Sequence, residues 1–420
     1  MKILFLNNFH YLRGGSERIL LEEMRLLREA GHEVALYARS HQRNDPAPFE
    51  AWFPPHLELE GLGFSLKTLR ALGELVYSAA SRRGLREVLA RFRPDIVHAH
   101  NIYGRLSLSV LDELKAARVP VIMTLHDLKL LCPSYLMLNA GKPCELCKGH
   151  RYHHAVLTRC HKGSYAASLV YALESWFNHG LGKYDSVSRF IAPSRFLRDK
   201  CLEYGWDGAK FSYLPNFSER FLAVAPPEAG GYLLYAGRLS PEKGVSGLLQ
   251  AYHCLTCQIP LVIAGEGPQR EALQRYAVQQ GLPVTFAGHL GGDALQAALA
   301  GARVLVIPSQ CYENAPLSVL EAFAAGKPVL GARIGGIPEL IEDGVNGFLF
   351  AASDPAALAG AIERFLSLSG PQVALMGEAA RAGVARDFSE KRHLALLLEL
   401  YRQVLESPRQ GRTPTVGGVL

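Results

Sequence analysis

No stretch of this chain is apolar for long enough to cross a bilayer as a helix. The opening MKILFLNN carries too short an apolar run for the core of a secretory signal, and Asn7 and Asn8 close it. It reads as a buried first strand, and the expected location is cytoplasmic. Asp-x-Asp is missing throughout, so the usual carboxylate cradle for a metal–diphosphate complex is absent. No Gly-x-Gly-x-x-Gly joins the first strand to the first helix, which removes a dinucleotide oxidoreductase as a reading. Aromatic residues do not interleave with the basic ones, so no nucleic-acid partner is expected.

What is present is a chain of 420 residues, long enough for two domains with full cores. Its basic excess lies in the first half: residues 1–222 hold 30 Lys and Arg against 22 Asp and Glu, leaving 15 against 17 for residues 223–420. The densest run is Ser65–Arg93, with Lys67, Arg70, Arg82, Arg83, Arg86, Arg91 and Arg93 against Glu74 and Glu87. Such a run suits either a face that meets an anionic lipid surface or acceptor, or an ordinary solvated helix face.

Short β-branched runs alternate with long helical patterns, which predicts an α/β protein with parallel sheets. Strands are expected at Lys2–Leu6, Glu33–Tyr37, Ile96–Ala99, Val121–Leu125, Arg189–Ala192 and Phe211–Leu214, and again at Tyr232–Tyr235, Leu261–Ala264, Val284–Ala287, Val304–Ile307, Pro328–Leu330 and Gly347–Phe350. The Pro- and Gly-rich stretch from Val224 to Gly231 marks a linker. The expected units are therefore residues 1–223, residues 224–389, a Leu-rich helix at 390–407, and a tail at 408–420 of disordered composition.

In the second unit most strand ends lead into a polar group or a glycine loop. Arg238 and Lys243 share a turn after one strand, a pairing that suits a diphosphate. Gly265 opens GEGP after the next, and Gly288-His289-Leu290 follows another. After VLVIPS comes YENAPLSVLEAF, with Glu313 in the loop and Glu321 eight positions on in the helix that Pro316 introduces. Carboxylates accept hydrogen bonds from sugar hydroxyls, and free helix N-termini bind phosphate. In a parallel sheet these loops share one side, so the signals converge.

The ordered set GGSE (Gly14–Glu17), GRLSPEKG, GEGP, the two glutamates eight apart and GGIPELIEDGVNGFLF resembles the retaining GT-B glycosyltransferases of family 4, over both halves of the chain to about Phe350. The resemblance implies two Rossmann-like doubly wound domains facing across a cleft. The first would take the acceptor and the second a nucleotide-diphosphate sugar, and the helix at 390–407 would pack back on the first. It implies that Arg238 and Lys243 neutralise the diphosphate and that Glu321 meets the ribose. Glu313 would meet the donor sugar, supported by backbone N–H groups from Asn314 through Ala315 to Leu317. Leu290 would lie near the base, Gly14 and Gly15 against phosphate or acceptor, and His126 of TLHD at the reaction centre. Asn314 departs from the glycine usual in that family. The implied activity is hexosyl transfer with retention to a saccharide or lipid-linked acceptor, in cell-envelope polysaccharide or glycolipid synthesis, with no catalytic metal. A sugar-nucleotide epimerase or hydrolase on the same fold, or a non-catalytic nucleotide-sugar-binding subunit, are the alternatives. His98 and His100 (HAHN) read as structural or acceptor-side.

Four of the eight cysteines fall in one segment, Cys132, Cys144, Cys147 and Cys160, within an insertion at 132–161. A C-x2-C knuckle with two flanking cysteines is a structural zinc pattern, Zn²⁺ being the cofactor it points to. Disulfides and unrelated thiols are the other readings. Farther on, the stripe Tyr165, Leu169, Leu173, Trp176 has the spacing of a core-facing helix. With the basic run it leaves peripheral contact with the inner face of a membrane as a second reading.

Overall fold

The computed structural model describes residues 1–57, 72–219, 221–222, 230–256 and 259–407. Lys67 and Arg70 of the basic run, most of the linker, Cys257 and the tail at 408–420 lie outside the described residues.

Two six-stranded sheets, parallel throughout, organise the chain. The first contains β1 (Lys2–Leu6), β2 (Glu33–Tyr37), β3 (Ile96–Ala99), β4 (Val121–Thr124), β7 (Arg189–Ala192) and β8 (Phe211–Tyr213), in the order β2-β1-β3-β4-β7-β8. The second contains β9 (Tyr232–Ala236), β10 (Leu261–Ala264), β11 (Val284–Gly288), β12 (Ala302–Ile307), β13 (Val329–Ala332) and β14 (Gly347–Phe350), ordered β11-β10-β9-β12-β13-β14. Strands β3, β4 and β13 are buried at every position, as strands with helices on both faces must be, and this is why they are mainly apolar, with His98 and Thr124 as the polar exceptions in β3 and β4. The small hairpin of β5 (Leu138–Asn139) and β6 (Lys142–Pro143) belongs to the cysteine-rich insertion between β4 and β7 and was not visible in the apolar pattern.

The last helix, Glu390–Glu406, leaves the second half and buries Leu397, Leu400, Tyr401 and Val404 in the first core. Their spacing puts them on one face, and Ser389 caps the helix start by accepting from the Arg392 N–H at 3.3 Å. Tyr401 Oη stands 2.7 Å from His98 Nδ1, whose Nε2 meets Thr124 Oγ1 at 2.8 Å. Both nitrogens of His98 are thus used inside the core, a structural role.

The helix Tyr165–Gly180 reverses one expectation. Tyr165, Leu169, Leu173 and Trp176 are 58, 44, 48 and 38% exposed, while its buried side consists of Ser168, Ala172, Glu174, Ser175 and Asn178. Glu174 reaches the buried Lys129 ammonium at 2.7 Å, and this ion pair turns the polar face inward. The stripe is surface, not core. In the basic run, Arg82 and Arg86 both pair with Glu113, and Arg91 pairs with Glu87 while lying over the Trp52 ring. Those charges are spent largely within the protein. Among the described residues no helix is long and apolar enough to cross a membrane.

Candidate active site

A cleft of about 520 Å³ lies between the two sheets, a size suited to a small-molecule ligand. Loops after β1 and β4 form one wall, and loops after β9 and β12 the other. Strands β1 and β3, and likewise β9 and β12, are neighbours whose connections leave in opposite directions, so the cleft faces the switch point of both sheets, where such folds bind ligands.

Two helix starts meet there. Gly14, Gly15 and Ser16 open the helix Gly15–Glu29 on one wall; Ala315, Pro316, Leu317 and Ser318 open the helix Leu317–Ala324 on the other. Pro316 is the residue before the first helical turn, so the turn begins at Leu317. The first N–H groups of a helix have no partner within it and carry the positive end of its dipole. A Cβ on Gly15 would stand 3.3 Å from Leu317 Cδ1, so the two starts all but touch.

Lys243 and Glu313 form the best-defined contact. Lys243 Nζ donates to Glu313 Oε1 at 2.6 Å, and Ser309 Oγ donates to the same oxygen at 2.6 Å. Burial pushes the Glu313 carboxyl up, but the Lys243 charge and the two hydrogen bonds outweigh it and hold the group below its ordinary range. Lys243 therefore stands against Glu313, not across the cleft from it. Arg238 lines the same cleft and is exposed; Tyr235 Oη fixes its loop by donating to the Arg238 carbonyl at 2.7 Å.

Glu321 is buried in its helix and paired with Arg18 of the opposite wall, a residue the sequence reading missed. Asn314 spans the walls too. Its Oδ1 accepts from Ser194 Oγ at 2.7 Å and its Nδ2 donates to the Leu125 carbonyl at 2.9 Å. Beside it, Asn216 Nδ2 donates to the Ala315 carbonyl at 2.9 Å. The Asn314 side chain is a strut between domains. Glu339 of GGIPE adds another by accepting from the Phe196 and Arg195 N–H groups, the latter at 2.8 Å, at the start of the helix Arg195–Glu203. The glycines of that motif back the Glu313 loop: Gly336 N–H donates to the Glu313 carbonyl at 2.7 Å, and a Cβ on Gly335 would come within 2.3 Å of that oxygen.

On the first-domain wall, His126 and Asp127 line the cleft. His126 Nε2 lies 2.8 Å from His100 Nδ1, and His100 Nε2 lies 3.3 Å from Glu23 Oε2. His393 of the last helix meets the other Glu23 oxygen at 2.9 Å. Ligand atoms of Glu23, His98 and His100 fall within 4.8 Å of one another, but both His98 nitrogens already have partners. His100 orients His126 through its Nδ1, with the Glu23 carboxylate close behind. Burial first, then the His100 charge, pushes His126 down to about 3, so it is neutral at pH 7. Burial pushes Asp127 up to about 6, only partly offset by the Lys129 N–H and charge. Asp127 is a second residue the sequence reading passed over, though it stands in the quoted TLHD.

Two residues expected at the donor, Leu290 and Gly265, are not among those lining this cavity. Leu290 packs against the second core. Gly265 donates its N–H to the Gly288 carbonyl at 2.6 Å, and a Cβ there would come within 1.8 Å of the Gly237 carbonyl. Its lack of a side chain serves the approach of three loops, and the lining does not include it.

Comparison with known proteins bears on this geometry. The family model for glycosyl transferases group 1 matches residues 219–383, and that for Glycosyltransferase Family 4 matches residues 13–218. A sulfoquinovosyl transferase of Arabidopsis thaliana is 30% identical over 288 residues, 66% of this chain and 50% of that one, so the chain spans half the length of that relative. A glycogen synthase of Mycobacterium tuberculosis is 28% identical over 427 residues, 94% of this chain and 93% of the other. Among solved structures, sucrose-phosphate synthase from Thermosynechococcus elongatus superposes with a TM-score of 0.69 at 19% identity, over 97% of this chain and 100% of that one. Anabaena HepE in complex with UDP gives 0.64 at 18%, over 96% and 100%. The fold is GT-B, two Rossmann-like domains about a cleft.

Proposed function

Because the chain belongs to the group 1, family 4 glycosyltransferases, we propose that it moves a sugar from a nucleotide-diphosphate sugar to a hydroxyl of a saccharide or lipid-linked acceptor, with retention at the anomeric carbon, in cell-surface polysaccharide or glycolipid synthesis. One observation carries the reading: two helix N-termini, Arg238 and Lys243 converge on a single cleft. That is a site for two phosphates, built from donors already in place.

In this reading the diphosphate lies between the helix starts and draws on Arg238 and Lys243. Glu313, already ionised, accepts from hydroxyls of the donor sugar, and Glu321 from the ribose beside Arg18. As the bond between the anomeric carbon and the phosphate oxygen breaks, the acceptor oxygen bonds to that carbon on the same face, and its proton passes to the departing phosphate. Charge grows on that phosphate, and the cations and N–H groups stabilise it there. His126 and Asp127 border the acceptor side. UDP in a structural neighbour makes a uridine donor the first to try. The exposed Tyr165, Leu169, Leu173 and Trp176 stripe would rest on a membrane that carries a lipid-linked acceptor.

A thermal-shift panel of nucleotide diphosphates and their sugars, followed by mass analysis of products, tests the proposal. The expected result is stabilisation by one nucleotide and a glycosylated product with the wild type. Arg238→Ala and Lys243→Ala should each lower turnover roughly 10²-fold or more. Near-wild-type turnover in both overturns the assignment. Loss of donor without acceptor, at a comparable rate, favours a hydrolase.

A further inference from the structure

The cysteine-rich insertion between β4 and β7 contains a second candidate site. Cys132, the Cys144–Cys147 knuckle and Cys160 come from three separate stretches, yet all four thiols line one small cavity of about 10 Å³, a space for a single water-sized occupant. All four are free thiols, Cys132 and Cys147 buried and the other two partly so. The backbone holds each in place: Cys132 N–H donates to the Leu128 carbonyl at 2.9 Å, Cys144 N–H to Met137 at 2.7 Å and Cys160 N–H to Ala155 at 3.1 Å, while the Cys147 carbonyl accepts from the Arg151 N–H at 3.2 Å. Cys147, Tyr152, Ala155 and Ala172 form a core of four fully buried residues, far smaller than either domain core. Cys132 and Met137 join the first-domain core, whereas the stretch from Cys144 to Cys160 rests on this small cluster, and segments short of core rely on cross-links or metals.

The geometry points to a structural Zn²⁺ held by these four thiolates, each thiol giving up its proton on ligation. Bonds of about 2.3 Å in a tetrahedral site place the sulfurs about 3.8 Å apart. No three of them fall within 4.8 Å of one another in this arrangement, so ligation draws the knuckle inward.

The knuckle does more than close the insertion. Glu145 lies inside it, between Cys144 and Cys147. Its Oε1 accepts from Lys200 Nζ at 2.9 Å and from Tyr312 Oη at 3.1 Å. Tyr312 precedes Glu313, and its ring stands 5.0 Å from that of Phe196. The metal-clipped knuckle thus holds the donor loop of the other domain by its tyrosine. This coupling rests on the donor-site reading above; the zinc site does not.

Metal analysis of the full chain, purified without chelator, should find about one zinc per chain, and cobalt replacement should give the thiolate-to-cobalt charge-transfer and visible bands of a tetrahedral site. Cys144→Ser with Cys147→Ser should lose the metal, and Cys254→Ser should keep it. Wild-type zinc well below one per chain with no cobalt spectrum, or a mapped disulfide between any two of the four, overturns the site whether or not the variants fold. For the coupling, Tyr312→Phe should retain zinc and raise the donor KM about tenfold with a smaller change in kcat. An unchanged donor KM in that variant overturns the coupling alone.

Discussion

The largely enclosed Glu313 carboxylate is held charged by Lys243 and, to a lesser degree, by the Ser309 hydroxyl. Replacing that partner, as in Lys243→Met, leaves the charge in a poor solvent, and about 2 kcal/mol of stability at neutral pH should go with it. The sign with pH follows from the depressed carboxyl of Glu313: the stability it contributes is present above its ordinary value of 4.5 and is lost as pH falls through the lower folded value. The melting-temperature gap between wild type and Lys243→Met should therefore be full at pH 7 and narrow below about 4.5; a gap that holds constant to pH 3 counts against the pairing. Asp127 makes the opposite case. Its carboxyl, raised by burial to about 6, takes up a proton as pH drops through that value. If the carboxylate form serves the acceptor, kcat/KM should fall on the acid side with an apparent pKa near 6, and Asp127→Asn should lower the rate and flatten that limb. Neither burial nor partner can be read from the letters around these residues. Glu313 and Lys243 are 70 positions apart, and nothing in TLHD tells that its aspartate is enclosed.

At the scale of elements the two helix starts invite the sharpest test. Gly15 is exposed, so a larger side chain costs the fold little, but it must push Leu317 away. Gly15→Val should raise the donor KM tenfold or more with the melting temperature held within a few degrees; an unchanged KM would remove this start from the donor site. The exposed stripe on the helix Tyr165–Gly180 is tested in the same way. Leu169→Gln with Leu173→Gln should leave stability nearly unaltered and reduce cosedimentation with anionic lipid vesicles. The elements themselves were largely legible, because a fully buried parallel strand leaves an apolar run: β1, β2, β3, β7, β10 and β14 have the limits their sequences suggest. The stripe was misread for a physical reason. Helical spacing gives a face but not its direction, and the ion pair of Glu174 with Lys129 decided which face went inward. The glycine of GEGP has a packing use that its letters do not separate from a ligand's, since a Cβ at Gly265 would meet the Gly237 carbonyl.

Across the whole molecule, the walls of the cleft are joined by Asn314, Asn216, Glu339 and the pair of Arg18 with Glu321. Each hydrogen bond is worth about 1 kcal/mol, enough together to bias the two domains toward a closed arrangement without fixing it. Asn314→Gly removes two of them and restores the residue usual in the family; small-angle scattering should show a larger radius of gyration in the absence of donor, and an identical curve would deny the strut. None of these links was legible, since each joins residues 99 or more positions apart.

The last helix has a consequence for how the protein is made. Glu23 and His98 belong to the first hundred residues, but their partners His393 and Tyr401 follow 370 and 303 positions later. Until then the first domain carries an acid without its histidine and an apolar groove without its leucines. A first domain emerging from the ribosome therefore waits for at least 303 further residues before its core can close.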